Sequence, residues 1–314
     1  MNFPVFDLHC DTATALLGKS LRECGSLKHN NGHVDLDRAS GLAGYAQCFA
    51  CCTTTLDDRI PPVELFERQL ASVMREVEKN SNSISVAYSP LEIEKNYESG
   101  KMSAILTLEG PAAIDFDPGL LHAIYMVGYR MSTLGWNESN PLCGSHLTGE
   151  GLTEQGRQYI KTAQKLGMAV DLSHISDVAF WDAVAVTQRP LIASHSNSRA
   201  VYAHSRNLTD DMFRAICETD GAVGINLYAD FLGANPNLDT VCDHIFHFME
   251  IDPDGTHICL GADLDGCDLL PAGFSGVQDY NNLSQRLLDR GMDRTAVMNI
   301  FWNNALGVIK RCCM

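Results

Sequence analysis

Phe6-Asp7-Leu8-His9-Cys10-Asp11 closes a short apolar run that begins at Phe3. If 3–11 is a strand, alternate side chains share a face. His9 and Asp11 then point the same way, at the strand's C-terminal end. An imidazole and a carboxylate together are a common ligand pair for zinc or another divalent cation. A His-x-Asp triplet also arises by chance, as a surface histidine beside a turn aspartate. The rest of the chain decides between these readings.

Seven further apolar runs follow, at 44–52, 103–109, 126–134, 168–172, 190–193, 222–227 and 257–262. Helical patterns separate them. Pro61-Pro62 opens a helix over 63–79 with Leu and Val at helical spacing. Others are predicted at 12–21, 90–99, 153–166 (closed by Gly167), 175–186, 209–218 (capped by Thr209), 238–250, 279–290 and 294–310. Residues 84–88 read as an accessory strand. The 25–37 loop, with His29 and His33, is long enough to be a flap. The 103–109 run is apolar on both faces, as in a buried parallel strand. Eight runs alternating with helices predict an α/β protein of the (β/α)8, TIM-barrel type. With no linker or low-complexity stretch, 1–314 reads as a single domain.

Active sites of such barrels lie at the C-terminal ends of the strands. The first run ends in His9 and Asp11, the third in Glu109, the fifth in His174, the sixth in His195 and the eighth in Asp263. A lone histidine after an apolar run is usually structural. Five runs delivering such groups to one rim is a different matter, and this convergence predicts a metal site. Three imidazoles and two or three carboxylates exceed the needs of one tetrahedral ion. They suit two ions sharing a bridging carboxylate, which would acidify a bridging water and polarise a carbonyl, both useful for hydrolysis. His146 and His204 fall in rim loops and are candidates for supporting roles. His122, His244, His247 and His257 read as surface or core residues.

Composition bounds the rest. The 314 residues are 45% hydrophobic and 20% charged, with a formal net charge of −16. That charge disfavours nucleic acid or an anionic membrane as partner. No run approaches the ~18 apolar residues of a membrane span. Met1-Asn2-Phe3-Pro4 lacks the basic start and apolar core of a signal peptide, so a cytoplasmic setting is expected. The 12 cysteines show no disulfide or zinc-ribbon spacing. Cys48 and Cys51, formally Cys-x-x-Cys, sit three apart on a strand and so face opposite sides. The thiols are expected to act mainly as small buried hydrophobes.

Six motifs occur in order: His9-Cys10-Asp11, Leu108-Glu109-Gly110, Asp171-Leu172-Ser173-His174, Ala193-Ser194-His195-Ser196, Ser205-Arg206-Asn207 and Gly261-Ala262-Asp263-Leu264-Asp265-Gly266. Together they resemble the membrane dipeptidase (renal dipeptidase) family of zinc peptidases, in the amidohydrolase superfamily, over nearly the whole chain. The resemblance implies a dipeptidase with two zinc ions per chain, cleaving through a bridging hydroxide. It implies one ion held by His9 and Asp11, the other by His174 and His195, with Glu109 bridging both. Arg206 would pair with the substrate's free carboxylate, a contact suited to a planar guanidinium. Asp263 would hydrogen-bond the attacking water and carry its proton to the leaving amine. Asp265 reads as a structural loop acid.

One departure stands out. Mammalian members carry a histidine after the fourth strand that contacts the substrate carbonyl. Here the segment reads Thr133-Leu134-Gly135-Trp136-Asn137, with Trp136 in that place, and Asn137 or His146 are the donors at hand. Trp136, Asn137 and, just past the seventh run, Tyr228 are expected to contact substrate. Signals for secretion and C-terminal lipid anchoring are not found, which fits a soluble, bacterial relative, and a homodimer is expected. Two alternatives stay open: a related amidohydrolase acting on another small amide or a lactone, and a metal-binding barrel without catalysis.

Overall fold

Nine strands join in one all-parallel sheet: β1 (Val5–Cys10), β2 (Tyr45–Cys52), β3 (Ile84–Val86), β4 (Met102–Glu109), β5 (Tyr129–Thr133), β6 (Ala169–Asp171), β7 (Leu191–Ala193), β8 (Ala222–Ile225) and β9 (Ile258–Leu260). This computed structural model describes residues 2–18, 25–54 and 60–313. Pairing of β2 with β4, from Ala46–Ser103 to Cys52–Glu109, closes the ring. β3 borders only the start of β4, where Ile84 pairs with Met102; β5 takes the same edge further on, from Leu106. The result is an eight-stranded parallel barrel with β3 as the accessory strand, the (β/α)8 architecture expected.

Strand alternation divides the core into two layers. Phe6, Leu8, Ala46, Cys48, Ile105, Met131, Ala169, Ile192, Ala222 and Cys259 pack together from eight strands and fill the barrel. Trp302, Leu306 and Ile309, on the closing helix, join that cluster. Val5, Cys51, Leu106, Val170, Leu191, Val223 and Ile258 face out and pack with the surrounding helices. Cys48 and Cys51 thus lie on opposite faces, and Cys-x-x-Cys chemistry is ruled out by the pleat.

The helices start where small polar side chains can accept the first free backbone N–H groups. Thr153, Ser176, Thr209 and Asn237 do so for the helices Glu154–Leu166, Asp177–Val186, Asp210–Glu218 and Leu238–Ile251. Gly167, at φ +79°, ends the first of these as expected. Among the described residues no helix is long and apolar enough to cross a membrane.

Three expectations need correction. The 126–134 run is not all strand, because Leu121–Val127 is helical and Gly128, at φ +120°, turns the chain into β5. The 12–21 helix is regular only over Thr12–Ala15, and its residues 19–21 lie outside the described residues. The 294–310 helix is interrupted by a π-helical stretch at Asn299–Asn303, which seats Trp302 in the inner cluster.

Candidate metal and active site

β1 is not a regular strand. Asp7 pairs with Gln47 but Cys10 with Phe49, so three steps along β1 match two along β2. This β-bulge reverses the alternation: Phe6 and Leu8 face the barrel interior while Cys10 faces out. His9 is thereby aimed at the rim, 3.4 Å from Asp11 Oδ2, 3.6 Å from Glu109 Oε1 and 3.8 Å from Asp263 Oδ1, each measured from Nε2. Asp7, left behind the bulge, accepts from the backbone of His9 and Ala262, from Gln47 and from the Tyr280 hydroxyl. It braces β1 against β9.

Glu109, last residue of β4, is 2% exposed. Its Oε1 lies 3.1 Å from His174 Nε2 and 3.9 Å from His195 Nε2. It therefore lies within 4 Å of all three imidazoles, His9, His174 and His195, and the His9 and His195 rings are themselves 3.9 Å apart between centroids. His174 and Asp263 both hold left-handed backbone conformations (φ +75° and +61°) that a side chain with a Cβ rarely adopts. Such strain is typical of sites where a side chain is aimed rather than packed.

Hydrogen bonds fix the ring orientations. His174 Nδ1 lies 2.9 Å from Asn137 Oδ1. His195 Nδ1 lies 2.7 Å from Ser194 Oγ, whose hydroxyl donates to Asp171 Oδ2. Both rings then carry their proton on Nδ1 and present an Nε2 lone pair. Burial holds both imidazoles well below the usual histidine range, so both are neutral. Their two Nε2 atoms are nevertheless 2.8 Å apart. Two lone pairs at that distance repel unless a cation lies between or beside them. His9 Nε2 is likewise buried with no hydrogen-bond partner.

These observations fit a metal. Donor atoms of His9, Asp11 and Glu109 lie within 4.8 Å of one another, as do those of Glu109, His174 and His195. A third grouping joins His9, Asp171 and His195. Asp171 is already spent on the Ser173 and Ser194 backbone amides and the Ser194 hydroxyl, so it is a brace and not a ligand. Nitrogen and carboxylate donors in this mix suit zinc and neighbouring divalent ions. The electrostatics agree. Burial alone would lower the His9 pKa, but Glu109, Asp11 and Asp263 outweigh it and push it up to about 10. Burial, reinforced by Asp11, holds Glu109 well above the usual carboxylate range. Without a cation, these carboxylates favour a proton on His9.

A cavity of about 220 Å³ opens onto these groups, lined by Asp11, Thr14, Cys52, Glu109, Trp136, Asn137, His174, Tyr228, Phe231, Asp263, Asp265 and Gly266. Trp136, Asn137 and Tyr228 are thus brought together with the ligand candidates. Arg206 is not among the lining residues. It is 3% exposed, donates to the His195 carbonyl, stacks over Phe231 at 5.5 Å and leaves Nε without a partner. Asp263 Oδ2 accepts from Asn226 Nδ2 at 3.0 Å. Burial, helped by Asp11, raises the Asp263 pKa against the opposing pull of His9, Arg206 and Asn226. Asp265 accepts from Thr12 Oγ1 and from the His33 backbone amide, pinning the 25–37 loop beside the cavity as a structural acid.

Sequence reasoning missed Asn226, Asp171, Thr14, Cys52 and Phe231. Asn226 and Asp171 carried a signal, a lone polar residue inside an apolar run. Phe231 carried none. His244, read as core, is buried between the Ser198 amide and the Leu232 carbonyl.

Comparison with known proteins places this geometry in context. A sequence model of the membrane dipeptidase family (peptidase family M19) matches residues 1–312. An uncharacterised dipeptidase of Schizosaccharomyces pombe is 34% identical over 226 residues, 70% of this chain and 55% of that protein. The chain thus spans about half the length of that relative. A metallopeptidase from Rhodobacter sphaeroides, solved with a phosphinate mimic of the dipeptide L-Ala-D-Ala, superposes with a TM-score of 0.89 at 26% identity, covering 99% of this chain and 100% of that one. A second family M19 metallopeptidase, dipeptidase AC, gives a TM-score of 0.90 at 26% identity over 100% and 99% of the two chains.

Proposed function

The chain belongs to the membrane dipeptidase family, peptidase family M19, and from that premise we propose that it is a metal-dependent dipeptidase holding two zinc ions. His9 and Asp11 would hold one ion and His174 and His195 the other, with Glu109 within reach of both sets. Bound there, the ions supply Lewis acidity, making water easier to deprotonate and a carbonyl easier to attack. The protein's own groups do the rest. Arg206, buried and with an unused Nε, binds the free carboxylate of the dipeptide and so limits the substrate to one residue beyond the scissile bond. Asp263, held by Asn226, takes the proton of the attacking water and returns it to the leaving amine. Trp136, Tyr228 and Phe231 supply the apolar walls around the substrate's side chains. The cytoplasm as location and a homodimer as assembly complete this reading.

The observation that carries it is the convergence of six side chains from five strand ends at one rim, where Asp11, Glu109, His174 and Asp263 line the cavity and His9 and His195 lie buried against them, with a buried arginine nearby. A scaffold without catalysis has no use for a buried carboxylate such as Asp263, held by the Asn226 amide and 3.8 Å from His9 Nε2. The test is a panel of free and C-terminally amidated dipeptides, run on metal-analysed protein. Two zinc equivalents with turnover of free-acid dipeptides alone is the expected result. Turnover of lactones or N-acyl amino acids instead, or none at all at full metal occupancy, would reject it.

A further inference from the structure

Asn137 sits where two histidines meet. Its Oδ1 lies 2.9 Å from His174 Nδ1 and 3.1 Å from His146 Nε2. The other nitrogen of His146, Nδ1, lies 2.8 Å from Ser205 Oγ. The protons can be placed by elimination. Metal binding through Nε2, beside Glu109, requires the His174 proton to sit on Nδ1, and the atom it then meets is an acceptor. That makes it the carboxamide oxygen and fixes which way the amide faces. His146 then donates from Nε2 into the same oxygen and accepts the Ser205 hydroxyl on Nδ1.

Both lone pairs of Oδ1 are now filled, and both nitrogens of His146 are committed. Nδ2 of Asn137 carries two N–H donors, neither of which meets an acceptor among the described residues. The residue is half-buried and lines the cavity. The amide is not free to swing. Its backbone carbonyl accepts from Ser145 Oγ, and the loop beyond is folded on Asn140, which bonds the Leu134 carbonyl and the amides of Leu142 and Cys143. A neutral donor held rigidly beside a candidate metal ligand, with its acceptor side already occupied, is arranged to meet an oxygen arriving from the cavity.

We infer that Asn137 is a catalytic residue with two functions: Oδ1 fixes the ring of His174 for metal binding, and Nδ2 donates to the carbonyl oxygen of the scissile amide as negative charge develops on it. The second function rests on the dipeptidase reading above; the first rests only on its metal assignment. His146 and Ser205 are positioning residues that hold Oδ1 from behind.

Two substitutions separate the functions. Asn137→Asp keeps an acceptor for His174 but replaces the Nδ2 donor. Asn137→Leu removes both. With Asn137→Asp, metal content after dialysis is expected to match the parent protein. Its kcat should fall roughly 10²-fold with KM little changed, as for loss of one oxyanion donor. Affinity for a phosphinate dipeptide analogue, measured by calorimetry, should fall in parallel. Asn137→Leu should lose kcat to the same extent and also give up metal. Imidazole ¹⁵N spectra of the unaltered metal-loaded protein should show His174 protonated at Nδ1, a reading that needs no variant to fold. Near-parental kcat in Asn137→Asp, or a loss carried by Trp136→Phe instead, overturns the donor function. Full metal retention by Asn137→Leu, or a His174 protonated at Nε2, overturns the ring-fixing function. Metal-loaded parent protein that cleaves no dipeptide overturns the dipeptidase reading and the donor function with it, while the metal comparison still decides the role of Oδ1.

Discussion

Ser194 Oγ lies 2.7 Å from His195 Nδ1 and passes its own hydrogen bond to Asp171. The carboxylate can only accept, so the hydroxyl donates to it and accepts from the imidazole, leaving Nε2 of His195 as a lone pair. Asp171 is anchored in turn by the amides of Ser173 and Ser194. The histidine is therefore set through two further residues at the strand ends, Ser194 just past β7 and Asp171 at the end of β6. Ser194→Ala should weaken metal binding by roughly 10–100-fold, the usual cost of removing such a partner. A chelator competition titration measures it, and an unchanged metal affinity would show that the line from Asp171 to His195 is only packing.

Gly266 tests how tightly the opposite side is built. A Cβ there would fall 2.1 Å from Asp11 Oδ2 and 2.6 Å from Asp263 Oδ1. Both carboxylates would have to move, although the turn itself sits at the end of the barrel and not in its core. Gly266→Ala should cost roughly 10²-fold in kcat/KM, as for displacements near 1 Å in a reacting group. Its melting temperature should stay close to that of the parent. A variant of full activity would mean that Asp11 and Asp263 tolerate displacement and that their spacing is not critical.

Some of this was legible in the sequence and some was not, for reasons the residues make plain. Glu109 obeys simple alternation: Ile105 faces the barrel interior, and Glu109, two pleats further, faces the rim. Reading the strand was enough. His9 does not. Alternation from Phe6 and Leu8 would turn it away, and only the extra residue between Asp7 and Cys10 brings it to the rim. A bulge leaves no mark in a single sequence, so the expectation for His9 comes from its pairing with Asp11 and not from its phase. The helix Leu121–Val127 was lost because a short apolar stretch reads the same as helix or buried strand, and Gly128 marks the break. Asn137 was recognised as a donor, but its bond to His174 depends on a loop closing over 37 residues of chain. No local pattern encodes that.

Arg206 offers a kinetic test of substrate class. Its guanidinium is buried, donates to the His195 carbonyl, lies over the Phe231 ring, and keeps Nε unpaired among the described residues. Arg206→Lys retains the charge but not the planar fork. Loss of a charge-assisted pair is worth ~1.5–3 kcal/mol, so KM for a free-acid dipeptide should rise roughly 10–100-fold with a smaller change in kcat. Steady-state kinetics on matched free and amidated substrates measure this. If the substitution leaves their ratio unchanged, the arginine does not read the carboxylate.

Metal removal should expose the charge imbalance of the site as a dependence of stability on pH. Without metal, the pKa of His9 is pushed up to about 10, because Glu109, Asp11 and Asp263 outweigh its burial. An unfolded histidine titrates near ~6.5. Between these values the folded chain holds a proton that the unfolded chain has lost, so stability falls as pH rises. The contribution is complete below about 6.5 and gone once pH has risen through about 10. Glu109 acts with the same sign: its pKa is raised in the fold, chiefly by burial, so ionising it costs more folded than unfolded. A bound cation replaces the proton and removes the slope. The chelated protein should therefore melt at steadily lower temperature from pH 6 to pH 10, and the gap to the metal-loaded protein should widen over the same range. Melting curves of both forms at a series of pH values check this. Parallel curves would mean that the carboxylates around His9 are balanced by something other than a metal.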